Sequence, residues 1–161
     1  MRSPPPDGQA DVLGRLYDQH APTLYRYALM LLVHPPAAED VVQDVFAGLL
    51  GTAVLPTDPL SYLRTAVRNG CYTRLRRRMR WDMRELPLLE AATPDAVEAA
   101  DRVTLERALR ALPPEQREVV HLHVYEGCTF REVAEMSGES INTIASRYRY
   151  ALARMREVLT P

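Results

Sequence analysis

A chain of 161 residues that is 47% apolar can bury a core, as one ordinary domain or as two small ones. Two phenylalanines, one tryptophan and 13 prolines, with no alternating valine- or threonine-rich run, exclude a sheet protein and predict an all-α chain of aliphatic helices separated by breaks. The net charge of −1 hides a strong segregation: seven acids face only Arg15 and Arg26 between Asp7 and Asp58, whereas eight arginines face only Asp82 between Arg64 and Arg84. Glu85 to Asp101 then carries five acids and no base, and Ser140 to Arg156 four arginines and no acid. Two basic faces divided by an acidic stretch suit two contacts with a polyanion, because clustered arginines release counterions from phosphate. Ordinary solvated helix faces are the alternative. All the basic residues except histidine are arginine, which codon bias in a GC-rich genome explains more simply than a need for bidentate phosphate contacts. Cys71 and Cys128 stand in no paired motif, the N-terminus lacks the apolar core of a signal peptide, and the longest apolar run, Ala28 to Val33, cannot span a bilayer. A cytoplasmic protein without membrane insertion is expected.

In chain order, residues 1–10 are a Pro-rich tail expected to be disordered, and residues 11–85 form the first domain. Helical spacing begins with Leu13, Leu16, Tyr17, Leu24, Tyr27, Ala28 and Leu31, and Pro22 is expected to start a second helix within it. Pro35 and Pro36 end that segment. The next helix opens with Glu39 and Asp40 and carries Val41, Val42, Val45, Phe46 and Leu49 on one face. After Gly51, Asp58 reads as an N-cap with Pro59 at the first helical position of a long helix through Leu60, Leu63, Val67 and Cys71 into the arginine cluster.

Residues 86–100 contain prolines and acids and no base, and read as a flexible acidic linker. It separates two small helical domains of about 75 residues, whose cores supply only about 3–5 kcal/mol each. In the second, residues 101–161, helices are expected near Asp101–Ala111, Pro114–Tyr125, Thr129–Ser137 and Ser140–Leu159. Thr129 with Glu132 forms a capping box, Gly138 supplies a turn and Ser140 caps the last helix. Two short helices joined through a glycine turn, the second rich in arginine, form a helix-turn-helix. Its buried stripe is expected to be Ile141, Ile144, Tyr148, Leu152 and Met155, leaving Asn142, Thr143, Ser146, Arg147 and Arg149 to meet DNA. N-terminal residues of such a helix reach the groove floor and displaced arginines reach phosphates. Ser146 and Arg149 are therefore the base-reading candidates and Arg147 the phosphate candidate.

The conjunction of these segments resembles the extracytoplasmic-function group of sigma factors, in the sigma-70 family, from about Asp11 to Leu159. AEDVVQDVF (Ala38 to Phe46) is similar to the region that docks on the clamp helices of the polymerase β′ subunit. SYLRTAVRN (Ser61 to Asn69), followed by RLRRRMR, is similar to the helix that melts and reads the minus-ten promoter element. ALRALPPEQREVV (Ala108 to Val120) and NTIASRYRYALARMR (Asn142 to Arg156) resemble the domain that reads the minus-thirty-five element. The resemblance implies a promoter-specificity subunit with no catalytic activity and no cofactor of its own. Its implied partners are core RNA polymerase through the β′ clamp helices and β flap, promoter DNA, and an anti-sigma factor.

The implied roles fall on Asp40, Gln43 and Asp44 for core binding, where carboxylates on a polar helix face can meet a basic partner. Asn69 falls where the family lines a pocket for an unstacked base, and Arg74, Arg76, Arg77, Arg78 and Arg80 can grip phosphates around melted DNA. Capping a helix end is the alternative use of Asn69. The acidic linker resembles the family segment that threads toward the polymerase active centre. Tyr62, Thr73, Ala145 and Tyr150 stand where relatives usually have tryptophan, aspartate, a basic residue and arginine, so base preferences do not transfer.

Two other readings compete. His121, His123 and Cys128 are close in sequence, but residues two apart point to different helix faces and no second ligand cluster accompanies them, so no metal site is expected. A free-standing DNA-binding regulator, or a decoy for an anti-sigma factor, would share the helix-turn-helix but need neither the acidic nor the basic helix of the first domain.

Overall fold

The computed structural model describes residues 7–52, 54–81 and 96–160, and the side chains of residues 8–52, 54–78 and 101–160. The described residues contain helices and no strand. The chain divides into two compact units, Met1–Pro87 and Leu88–Pro161.

In the first unit α1 spans Asp7–Leu32, α2 Pro35–Leu49 and α3 Pro59–Trp81. Residues 7–10, expected within a disordered tail, are helical. The Gln9 side-chain amide donates to the Thr52 carbonyl beyond α2, a tertiary anchor that no local pattern announces. Residues 1–6 of that tail lie outside the described residues. Pro22 starts no second helix but sits inside α1. An internal proline costs about 3 kcal/mol, yet the buried stripe of Leu13, Ala21, Leu24, Tyr27, Ala28 and Leu31 runs unbroken past it. Packing on α2 and α3 therefore outweighs the missing backbone bond.

Pro35 and Pro36 likewise do more than end α1: they are the first two residues of α2, where a missing N–H has no helical partner to lose. His34 caps this helix, its Nδ1 accepting from the Ala37 N–H at 3.1 Å, so Glu39 and Asp40 fall in the second turn rather than at the N-terminus. Val33 makes the connection at φ 51°, a left-handed conformation that costs a β-branched residue about 1–3 kcal/mol. Its side chain is buried and its N–H donates to the Leu29 carbonyl at 2.8 Å. On α3, Asp58 Oδ1 accepts from the Ser61 N–H at 3.3 Å, as an N-cap does. Leu63, Val67 and Cys71 are wholly buried, and α3 packs on both α1 and α2. Gly70 permits the close approach of α2 and α3: a Cβ there would lie 3.0 Å from Val41 Cγ1.

In the second unit α4 spans Ala96–Arg110, α5 Pro114–Val120, α6 Phe130–Ser137 and α7 Ile141–Leu159. The expected linker lies outside the described residues except for residues 96–100, which are helical instead. Alanine and glutamate favour a helix there, and Arg107 and Arg110 in its last turn complement the dipole. The expected helix Pro114–Tyr125 changes pitch at His121, where α5 gives way to a π-helical turn, His121–Tyr125. Within it His121 stacks on Tyr125, centroids 5.2 Å apart, and its Nε2–H donates to Glu126 Oε1 at 3.0 Å.

The core of this unit includes Ala108 and Leu112 beside Val120, Ala151 and Met155, with Tyr148 packed against them. The expected stripe on α7 needs correction. Ile141 and Leu152 are exposed, and the buried positions are Ile144, Ala151 and Met155. A small residue at 151 lets α4 close on α7, which draws the seam one position away from Leu152. No described helix is long and apolar enough to cross a membrane.

Candidate nucleic-acid interfaces

On α2, the core positions Val41, Val42, Phe46 and Leu49 leave the opposite side to Asp40, Gln43 and Asp44, all exposed. Spacings of three and four residues put these three on one face. Gln43 Nε2 donates to Glu39 Oε1 at 3.4 Å, and Asp44 accepts from Arg74 Nη2 at 3.1 Å.

The arginine run on α3 is divided by helical periodicity. At 100° per residue, Arg74 and Arg78 continue the line of Leu63, Val67 and Cys71 beyond the end of the core. Both make contacts within the unit: Arg74 pairs with Asp44 of α2, and Arg78 Nη1 donates to the Leu32 carbonyl at the end of α1 at 3.0 Å. Arg78 thus satisfies a terminal helix carbonyl, a contact cations favour. Arg76 and Arg77 are exposed, Arg76 Nη2 donating to Thr73 Oγ1 at 3.3 Å. The Arg80 side chain lies outside the described ones.

Opposite the buried line, Tyr62, Asn69 and Arg76 recur every seven residues on one outward face, and each is exposed. Asn69 is in the middle of α3 and caps neither end, so the capping alternative does not hold. Its backbone carbonyl accepts from Thr73 Oγ1 at 2.9 Å. Tyr62, 47% exposed, was not among the candidate residues. The seven-residue interval could have found it. An aromatic face, an amide and a guanidinium in line can stack on a base, read a base edge and meet a phosphate.

In the second unit the capping box is complete: the Thr129 N–H donates to Glu132 Oε2 at 2.7 Å and the Glu132 N–H to Thr129 Oγ1 at 3.1 Å. Gly138 ends α6 at φ 70°, the left-handed conformation a turn here requires, and Ser140 Oγ accepts from the Thr143 N–H at 3.1 Å to start α7. Thr143 Oγ1 also lies 2.9 Å from Ser140 Oγ, which ties this residue to the cap. Asn142, Ser146 and Arg149 share the side of α7 opposite the Ile144, Ala151 and Met155 seam. Arg149 lies over the Tyr150 ring, 5.5 Å from its centroid. Arg147 lies between that side and the seam, half-buried, and pairs with Glu139 in the turn, Nη2 to Oε1, at 3.1 Å. The pair closes from the turn before α7 onto the second turn of that helix.

His121 and His123 are engaged in packing rather than gathered on a common centre. The His123 Nδ1–H donates to the Cys128 carbonyl at 2.7 Å, and its ring packs on Phe130 and Tyr148 at 4.4 and 5.0 Å. That bridges the π turn to α6 and α7. Among the described residues no group of three or more His, Cys, Asp or Glu is placed to hold a metal ion.

The family model for sigma-70 region 2 matches residues 16–80, and that for sigma-70 region 4 matches residues 102–155. The chain is 33% identical to the ECF RNA polymerase sigma factor SigL of Mycobacterium tuberculosis, over 94% of this chain and 90% of that one. It is 34% identical to the RNA polymerase sigma-E factor of Streptomyces coelicolor, over 84% and 79% respectively. Among solved structures, the sigma factor RpoE of Bartonella quintana, in complex with the anti-sigma factor NepR, shares the fold with a TM-score of 0.69. That likeness carries 24% identity over 91% of this chain and 95% of that one.

Proposed function

Since the chain belongs to the extracytoplasmic-function group of the sigma-70 family and is an RNA polymerase sigma factor that initiates transcription, we propose how its surfaces divide that work. The outward face of α3 is the minus-ten reader: Tyr62 stacks on an unstacked base, Asn69 reads an edge, and Arg76 and Arg77 grip the adjoining backbone. The observation that carries this assignment is the line of Tyr62, Asn69 and Arg76 opposite the wholly buried Leu63, Val67 and Cys71. Arg74 and Arg78 contribute first to the fold of the unit and only secondarily to the field at the DNA.

Asp40, Gln43 and Asp44 form the surface for the β′ clamp helices, and the second unit meets the β flap. In α7, Asn142, Ser146 and Arg149 face the major groove of the minus-thirty-five element, while Thr143 and Arg147 lie at its flank. An anti-sigma factor, the kind of partner held by the Bartonella quintana protein, is the regulator assigned to this chain. The chain works in the cytoplasm as a promoter-specificity subunit and adds no catalytic step of its own.

Transcription from a randomised promoter pool by purified core polymerase, with and without this chain, tests the proposal. Selection of a bipartite promoter with minus-ten and minus-thirty-five elements is the expected result. Transcripts independent of the chain, or selection of a single element, would overturn it.

A further inference from the structure

Glu139 occupies the turn of the helix-turn-helix, and its backbone is fixed on both sides. Its N–H donates to the Ala134 carbonyl at 3.2 Å, and the next residue, Ser140, is the N-cap of α7. The residue therefore stands one position before the N-cap of α7, an end of the helix where the dipole favours negative charge. Side chains on a helix lean toward its N-terminus, so Arg147, two turns along, reaches back to meet it. The contact is 3.1 Å between Arg147 Nη2 and Glu139 Oε1, with 23% and 41% of the two side chains exposed.

On the reading that α7 faces DNA, this guanidinium has two competing anions: the Glu139 carboxylate and a backbone phosphate. We propose that Glu139 is a positioning residue for Arg147, which sets how much of that charge reaches the DNA backbone and thereby the sequence-independent, salt-sensitive part of promoter binding. Phosphate contacts strengthen every sequence alike and carry no base information. Glu139 therefore restrains general DNA affinity and leaves base preference to Asn142, Ser146 and Arg149.

The test uses holoenzyme reconstituted from core polymerase and the full chain, with promoter and random-sequence duplexes at several salt concentrations. Glu139→Gln removes the charge but keeps the size and the backbone contact. It is expected to raise affinity for both duplexes by about two- to fivefold, the range of an exposed ion pair. The slope of log K against log salt steepens by up to about 0.9, the value of one phosphate. Glu135→Gln, an exposed acid on α6, measures the effect of charge alone. In an Arg147→Ala background, Glu139→Gln is expected to gain no more than this control.

A gain that persists in that background would overturn the proposal, since Glu139 would then act without Arg147. Altered base preference at unchanged salt slope would overturn it too. If Glu139→Gln changes nothing while Arg149→Ala still relaxes base preference, the proposal falls and the orientation of α7 stands. If neither variant changes binding, both fall.

Discussion

Arg74 of α3 donates to the Asp44 carboxylate of α2 at 3.1 Å, across 30 residues of sequence. The pair joins a residue assigned to the polymerase surface to one assigned to the arginine cluster. With the Asp44 side chain 75% exposed, the contact contributes no more than about 1 kcal/mol to stability. Reversing Asp44 alone would nevertheless place two cations together and disturb both surfaces at once.

Asp40 has the cleaner test, because it shares the exposed face of α2 without that contact. Asp40→Arg is expected to weaken core polymerase binding by about tenfold or more through like-charge repulsion at the docking surface. Asp40→Arg with Asp44→Arg weakens it further, with the fold of the second unit intact. A pull-down titration measures both, and unchanged affinity would remove α2 from the docking surface.

Asn69→Ala is expected to lower strand opening more than closed-complex formation, because a base must leave the stack before an amide can read it. The substitution is exposed and mid-helix, where alanine gains a few tenths of a kcal/mol in propensity, so unfolding cannot account for a loss. Permanganate reactivity of the melted bases is the measurement. Equal reactivity at equal occupancy would count against the assignment.

Arg149→Ala is expected to cost about 1–3 kcal/mol at its preferred base and to relax specificity there. Arg147→Ala should instead weaken all sequences alike, and its salt slope should fall by less than the full unit of a free arginine because Glu139 already holds one edge of the guanidinium. Binding to a randomised promoter library at two salt concentrations separates the two. Altered base preference from Arg147→Ala alone would reverse the orientation of α7.

Gly70→Ala is expected to destabilise the first unit. Alanine would gain up to about 1 kcal/mol in helix propensity, but its Cβ would lie 3.0 Å from Cγ1 of Val41. Val41 is buried and β-branched, with essentially one helical rotamer, so overpacking at about 1–3 kcal/mol prevails. Chemical denaturation reads the difference, and Val41→Ala should reduce the penalty of Gly70→Ala. A more stable single variant would show that α2 and α3 can separate without cost.

Short-range chemistry made much of this protein legible before folding. The Thr129–Glu132 box, the Asp58 and Ser140 caps and the Gly138 turn each need only residues within four positions of one another. The Leu63, Val67 and Cys71 line needs only the helical period. These features, with the resemblance of the segments to known ones, were enough for the all-α class and the family. Tertiary structure decided what no local pattern encodes. Continuous packing carried α1 through Pro22, and the approach of α4 chose Ala151 over Leu152 for the seam. Most consequentially, contacts between distant residues sorted arginines that look alike in sequence: Arg74 and Arg78 are held by Asp44 and the Leu32 carbonyl, while Arg76 and Arg149 face outward. A guanidinium goes to whichever acceptor the fold brings within reach, and that acceptor is set by the packing of helices rather than by neighbours in the chain.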